Sequence, residues 1–419
     1  MEGFRVLGGE KIEGEVCLQG AKNAVLPILA AALLPEGGCA IRSCPDIRDV
    51  RAMAQILDTL GCSCRMENGE MQIDSGGLCR WEMPEGLSKQ IRSSVFLLGP
   101  ILAKMRRATV PYPGGCEIGL RPIDLHLKGL RALGVRIEEG GGVLECDGQG
   151  MHAGDVYFDY PSVGATENVM MAAALLPGVT CVHNAAREPE IEDLQGFLNA
   201  LGGRVTGAGT ALIRIEGVKK LRGAAYTPIP DRIAGGTYLC AGAAAGGTVT
   251  VLNARPRDLI PVTEKLREMG CRIHTGESTV TLEAPRRLRA FSRLRTEPHP
   301  GFPTDMQAQM LSVACGAEGT SVIVENVFEN RFAHVADLQR MGADIRVSGR
   351  TAVVQGVPEL HGARVAARDL RGGAALVIAG LAARGETLVE NAGIIDRGYP
   401  RLEDTLRRLG ARIDRVREA

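Results

Sequence analysis

Leu130-Arg-Ala-Leu-Gly134-Val-Arg-Ile137 and Leu406-Arg-Arg-Leu-Gly410-Ala-Arg-Ile413 are two copies of one motif, Leu-x-x-Leu/Met-Gly-x-x-apolar. Four more copies stand at Leu57–Cys64, Leu198–Val205, Leu266–Ile273 and Leu338–Ile345. Their glycines, Gly61, Gly134, Gly202, Gly270, Gly342 and Gly410, are spaced 73, 68, 68, 72 and 68 residues apart. Each copy reads as the end of an amphipathic helix, a capping glycine and then a strand. A period of this length over the whole chain marks a repeat architecture.

Working outward, each marker is preceded by a helix rich in small and apolar residues. These are NAVLPILAAALL, SSVFLLGPILA, GATENVMMAAALL, AGGTYLCAGAAA, DMQAQMLSVACGA and LRGGAALVIAGLAA. A short strand follows each one, as in GGTVTVLNA, and a hairpin follows each marker, most clearly around Glu139-Gly140-Gly141-Gly142 and His274–Leu282. The unit is therefore helix, strand, helix, strand, strand. Helices apolar on every side require enclosure, so sheets are expected to wrap them. Six such units predict an α/β fold, a two-domain inside-out α/β barrel of pseudo-threefold domains with three units each. The two prolines of Tyr226–Arg232 mark the break between halves. A leading strand, Phe4 to Leu18, lacks a partner in the first unit and is expected to complete the second half. The expected domains are 1–21 plus 230–419, and 22–229.

Composition narrows the function. Forty-nine basic residues balance forty-nine acidic ones, so no global field favours nucleic acid or an anionic membrane. Aromatics make up only 4%, too few for base-stacking platforms. The longest apolar stretch, Ala24 to Leu34, contains Pro27 and is too short to span a bilayer, and the N-terminus lacks a signal-peptide pattern. Of twelve cysteines, most, such as Cys181, Cys240, Cys271 and Cys315, sit in apolar context. There a thiol packs as a small hydrophobe. Cys62 and Cys64 form the only close pair, with no second pair to complete a metal site. A reducing cytoplasm is expected. Nucleotide-hydrolysis, zinc-hydrolase and dinucleotide motifs are absent.

Aligning the units shows where chemistry is expected. The first helices begin at Lys22 and Asn23, Arg92, Ser162 to Gly164, Asp231 and Arg232, Asp305, and Asp369 with Arg371. The links after the first strands carry Cys116 with Arg121 and Asp124, Glu188 with Glu190, Arg331, and Asp396 with Arg397. Helix N-termini attract anions through their N–H groups and dipoles, and the cations add charge-assisted hydrogen bonds. The link Pro111–Arg121 is the longest of its kind, and its glycines allow hinging. A cysteine there, next to Arg121, is a candidate reactive thiol.

The segments GAKNAVLPIL, PGGCEIGLRPIDLH, SVGATENVM, AAREPEIED, PDRI, FPTDMQAQ, ENVFENRF, DLR and IDRGY resemble those of the UDP-N-acetylglucosamine 1-carboxyvinyltransferases, within the enolpyruvyl transferase family. They run in the family's order from Gly20 to Tyr399. The resemblance implies the sixfold-repeat fold and transfer of the enolpyruvyl group from phosphoenolpyruvate to UDP-N-acetylglucosamine, with no metal or cofactor. It implies that Lys22, Arg121 and Arg397 hold the phosphate and carboxylate of phosphoenolpyruvate, with Asn23, Arg331 and Arg371 as further candidates. Asn23, Arg92, Arg121, Pro122, Ile123, Asp124, Leu125, Ser162, Val163, Gly164, Asp305 and Val327 would line the sugar-nucleotide site. Cys116 would be the general acid and the target of fosfomycin, and Asp305 would take the proton of the sugar 3-hydroxyl. The related 3-phosphoshikimate enzyme would carry a different lysine segment and lacks the PGGC loop. Two departures stand out: the family usually has Glu where this chain has Ala234, and His where it has Ile394. They leave open a paralogue that binds the UDP-sugar and regulates without turnover.

Overall fold

The structure is a computed structural model and describes residues 2–112 and 123–417. Among these, six core helices are buried on nearly every side: α1 (Lys22–Ala31), α2 (Leu98–Met105), α3 (Val163–Ala173), α4 (Arg232–Ala245), α5 (Gln307–Cys315) and α6 (Leu370–Ala382). Two are entered through 3-10 turns, Arg92–Leu97 and Thr304–Met306. The amphipathic helix of each unit packs by one stripe. In Arg48–Leu60 that stripe is Val50, Met53, Ile56, Leu57 and Leu60. Each fully buried Leu or Ile contributes about 1.5–3 kcal/mol to the core. No helix of the described residues is long and apolar enough to cross a membrane.

All six marker glycines adopt positive φ, between 83° and 106°. The chain there leaves the helix in the left-handed region, which costs a residue with a Cβ about 1–2 kcal/mol. The repeated Gly is thus required by backbone geometry in every unit.

Each unit owns one sheet, giving six among the described residues. In three of them a short strand ahead of the core helix pairs in parallel with the strand after it, for example Asp155–Tyr157 with Val179–His183. In two more the parallel partners are exchanged at the crossings, Ala225–Tyr226 pairing with Gly38–Ile41 and Glu13–Cys17 with Thr248–Leu252. In the sixth a single bridge, Glu82 to Thr109, stands in that place. This leading strand is too short, two to five residues, to show a period in the sequence. The unit is therefore strand, helix, strand, helix, strand, strand.

The described residues of 1–19 and 230–419 cluster as one compact unit, and those of 20–229 as the other. The expected leading strand is two strands, because Gly8 and Gly9 turn the chain between them. Glu2–Leu7 lies between Glu386–Glu390 and Arg412–Arg417, and Glu13–Cys17 runs parallel to Thr248–Leu252. At the two crossings the strand register continues by single bonds: Asp231 N–H donates to the Gln19 carbonyl at 2.9 Å, and Ala21 N–H to that of Ile229 at 2.8 Å.

The marker glycines differ in surroundings, which separates backbone strain from crowding. A Cβ on Gly202 would meet nothing within 4 Å, whereas one on Gly61 would lie 2.3 Å from the Gly77 carbonyl oxygen. Gly202→Ala is expected to lower unfolding free energy by about 1 kcal/mol in urea titration, and Gly61→Ala by clearly more. Equal effects would mean that crowding at Gly61 is relieved without cost.

Candidate active site

Within the unit formed by 1–19 and 230–419, the N-terminal ends of α4, α5 and α6 converge on one polar cluster. The carboxylate of Asp305, in the turn ahead of α5, accepts from Arg331 Nη2 at 2.7 Å on Oδ1 and from Arg371 Nη2 at 3.1 Å on Oδ2. Both guanidiniums are 3% exposed, while Asp305 is 24% exposed, so the carboxylate is the part open to an incoming molecule. Arg371 also donates to the Tyr399 hydroxyl at 3.0 Å, with its guanidinium 5.4 Å from that ring. Thr237 Oγ1, from α4, lies 2.9 Å from the same hydroxyl. Gln309 Nε2 donates to Thr237 Oγ1 and to the Asp305 carbonyl. Burial works against the charge of Arg371, but Tyr399, Asp305 and Asp231 outweigh it and push its pKa up. The site therefore holds a fixed cation facing a partly exposed carboxylate.

Caps orient these helix ends. Asp369 accepts from the N–H groups of Arg371 and Gly372, and Asp231 from those of Ile233 and Ala234. A Glu at position 234 would complete a capping box by returning to the Asp231 N–H. That N–H already donates to Gln19, so Ala234 leaves no donor unsatisfied. Ile394 packs against the hydrophobic core. Arg397 follows the short helix Ala392–Ile395, and its neighbour Asp396 is bound by Arg415.

Within the 20–229 unit, Lys22 opens α1 with its Nζ 2.7 Å from Asp49 Oδ2, both groups nearly buried. Asn23 and Arg92 are half-buried. Ser162 caps α3 by accepting from Ala165 N–H, with Val163 and Gly164 in the first turn. A Cβ on Gly164 would lie 2.8 Å from the His126 ring. Ile123 is core, Leu125 is half-buried, and Asp124 is exposed in the first turn of the helix Asp124–Ala132. Cys116, Arg121 and Pro122 lie outside the described residues.

Two buried titratable groups in this unit are shifted toward their neutral forms. His126 Nδ1 sits 2.7 Å from the Asn168 amide, which also donates to the Val95 carbonyl. Burial, aided by the charge of Arg92, pushes the His126 pKa down to about 3, so the ring stays neutral. Glu167 is fully buried, and burial with the nearby Glu190 and Glu188 raises its pKa well above the usual carboxylate range.

The structure thus joins Asp305, Arg331 and Arg371 directly. Tyr399, Thr237 and Gln309 complete that cluster and are absent from the sequence-derived site. Tyr399 and Gln309 end the segments IDRGY and FPTDMQAQ, which was the available signal. Asp49 as partner of Lys22 had none, because they belong to different helices.

The sequence profile of the EPSP synthase (3-phosphoshikimate 1-carboxyvinyltransferase) family matches residues 6–406. The chain belongs to that family, in the branch of the UDP-N-acetylglucosamine 1-carboxyvinyltransferases. It is 51% identical over 413 residues to UDP-N-acetylglucosamine 1-carboxyvinyltransferase 2 of Caldanaerobacter subterraneus subsp. tengcongensis, covering 99% of each chain. It is 52% identical over 423 residues to UDP-N-acetylglucosamine 1-carboxyvinyltransferase 1 of Symbiobacterium thermophilum, covering 99% of this chain and 95% of that one. Among solved structures, the enolpyruvyl transferase NikO from Streptomyces tendae superposes with a TM-score of 0.91 at 24% identity, covering 100% of this chain and 99% of that one. EPSP synthase from Acinetobacter baumannii gives 0.76 at 19%, covering 100% of both chains. Likeness at those identities establishes the shared mixed α/β fold.

The buried neutral His126 has a consequence for acid stability. Unfolded, it takes a proton below about pH 6.5; folded, it resists until about 3. Stability is therefore lost as pH falls through this window, by an amount on the order of a few kcal/mol. In urea unfolding at pH 7 and pH 4.5, His126→Gln is expected to lose less stability on acidification than the parent. An equal loss would mean the ring is protonated in the fold.

Proposed function

We propose that this chain transfers the enolpyruvyl group of phosphoenolpyruvate to the 3-hydroxyl of UDP-N-acetylglucosamine with release of phosphate, the first committed step of peptidoglycan synthesis. The observation that carries the reading is identity at half of all positions, end to end, to relatives bearing that name. The Asp305 cluster supports it chemically. Its free thiols, eleven among the described residues, suit a reducing compartment, and we place the protein in the cytoplasm.

The double bond of phosphoenolpyruvate becomes electrophilic at C2 once C3 is protonated. We assign that acid role to Cys116. Lys22, Arg121 and Arg397 hold the phosphate and carboxylate, so that the acid and C3 meet in a productive geometry. The cation that develops at C2 is attacked by the sugar 3-hydroxyl, whose proton goes to Asp305. An ionised carboxylate offers about four lone-pair positions, so Asp305 can accept from a hydroxyl while Arg331 and Arg371 hold it. Phosphate then leaves from the tetrahedral intermediate and a proton is lost from C3, which restores the double bond. The anionic groups of phosphoenolpyruvate share Arg331 and Arg371 with Asp305. The sugar nucleotide lies along Asn23, Arg92, Arg121, Pro122, Ile123, Asp124, Leu125, Ser162, Val163, Gly164, Asp305 and Val327.

Phosphate release from phosphoenolpyruvate, measured with and without UDP-N-acetylglucosamine, tests the reading. Release is expected only with the sugar nucleotide, and to continue over many turnovers. Asp305→Asn is expected to lower kcat by about 10²–10⁴, a larger effect than on sugar-nucleotide binding, as removal of a general base should. Lys22→Ala is expected to abolish measurable release. Sugar-independent release, or full activity in Lys22→Ala, would overturn the assignment. The thiol assignment has its own check: fosfomycin should add mass to the parent and not to Cys116→Ser.

A further inference from the structure

The residue just after the first strand of each unit differs between units, being Arg42 and Tyr112 in the first two and Glu325 in the fifth. In three units the residue just after the first strand is an asparagine in the left-handed conformation: Asn184 (φ 53°), Asn253 (φ 53°) and Asn391 (φ 62°). Each side-chain amide donates to the carbonyl of the residue that follows the neighbouring parallel strand. The acceptors are Phe158 at 2.9 Å, Leu18 at 2.9 Å and Ala367 at 3.3 Å. In the fifth unit the strand Thr320–Val324 is followed instead by Glu325, and the parallel strand Arg293–Arg295 by Thr296. The same tie persists with its donor reversed: Thr296 Oγ1 donates to Glu325 Oε1 at 2.8 Å.

The glutamate makes three bonds beyond that tie. Oε1 also accepts from the N–H groups of Val327 at 2.8 Å and Phe328 at 3.1 Å, and Oε2 accepts from Thr304 Oγ1 at 3.0 Å. Glu325 is fully buried, and burying a carboxylate is strongly unfavourable unless such donors surround it. A tie between strands alone is achieved by a neutral asparagine in the sister units, so strand pairing does not call for the charge. The extra bonds run to two segments of the candidate site. Thr304 precedes Asp305. Val327 and Phe328 open the loop that carries Arg331, whose Nη2 donates to Asp305 and whose guanidinium lies 5.6 Å from the Phe328 ring.

We propose that Glu325 is a positioning residue for the reaction. From one buried point it fixes the turn that presents the Asp305 carboxylate and the loop that presents Arg331 to it. The inference rests on the transferase reading above. Glu325 acts through Asp305 and Arg331, and displacing a reacting group by about 1 Å is enough to cost roughly 10²-fold in rate.

Three variants of the full chain test this. Glu325→Gln retains the means to hold both segments: its amide oxygen accepts from Thr296, Val327 and Phe328, and its NH₂ donates to Thr304. Thr304→Val deletes only the bond to the turn and preserves shape. Glu325→Ala removes every bond. For Glu325→Gln, kcat is expected within a few-fold of the parent. Thr304→Val is expected to lose about 10-fold in kcat, with the Kd for UDP-N-acetylglucosamine within two-fold of the parent. Glu325→Ala is expected to lose about 10²-fold. Hydrogen exchange in peptides covering 302–309 and 326–332 is expected to quicken in both segments of Glu325→Ala and in neither of Glu325→Gln. Parent-like kcat in folded Thr304→Val and Glu325→Ala would overturn the proposal, as would unchanged exchange in either segment of Glu325→Ala. A parent protein that releases no sugar-dependent phosphate would sink the reaction reading instead, and the exchange data would still decide whether Glu325 holds the two segments together.

Discussion

A helix with no polar face is stable in water only when it is enclosed, and six such helices impose the rest of this architecture. Each needs cover on all sides, which its own unit supplies as a sheet and an amphipathic helix and its neighbours supply as further core helices. Along their lengths these helices keep their few polar side chains, such as Thr237, Gln309 and Asn168, buried in internal hydrogen bonds. Their N-terminal ends are different, because four N–H groups there lack intrahelical partners. The polar residues of the units therefore gather at those ends, as caps in Ser162, Asp231 and Asp369 and as charges in Lys22, Asp305 and Arg371.

The buried charges are matched in ways that favour a fixed geometry. Arg331 and Arg371 are nearly inaccessible and grip one carboxylate from two sides, and Lys22 is held on Asp49. Buried ion pairs add little net stability, since desolvation offsets much of their attraction. Their value here is orientation: donors fixed in advance do not reorganise when charge develops on a substrate. Glu325 extends the same arrangement one layer deeper, with hydrogen bonds in place of a countercharge.

Repetition supplies the scaffold, and departures from it mark function. The marker glycines recur in all six units because the left-handed turn disfavours a Cβ in each. The asparagine after the first strand ties neighbouring strands in three units. It gives way to Glu325 in the unit that also presents Asp305 and Arg331. Ala234 shows the converse case, a departure made harmless because the Asp231 N–H finds Gln19 instead.

Periodicity alone made the six units, their capping glycines and their apolar helices legible, since those features follow from local backbone geometry and from a helix's need for cover. The starts of the core helices were legible too, from Ser162, Asp231 and Asp369 standing just before apolar runs. The short parallel strand of each unit was not, because two to five residues carry no period and form a strand only beside a partner. Nor could one chain segment disclose that Glu2–Leu7 lies between strands some 380–415 residues away. The catalytic candidates emerged from their segments, yet their partnerships did not: Asp49 with Lys22, Tyr399 with Arg371 and Thr237, and Glu325 with Thr304 and Val327. The helices, the hairpins and the residues that begin each core helix are local properties of the chain, because they depend on neighbours three or four positions away. Which polar groups meet follows from the packing alone, because a hydrogen bond needs atoms within about 3 Å and the fold brings Thr237 to Tyr399 across 162 residues of chain.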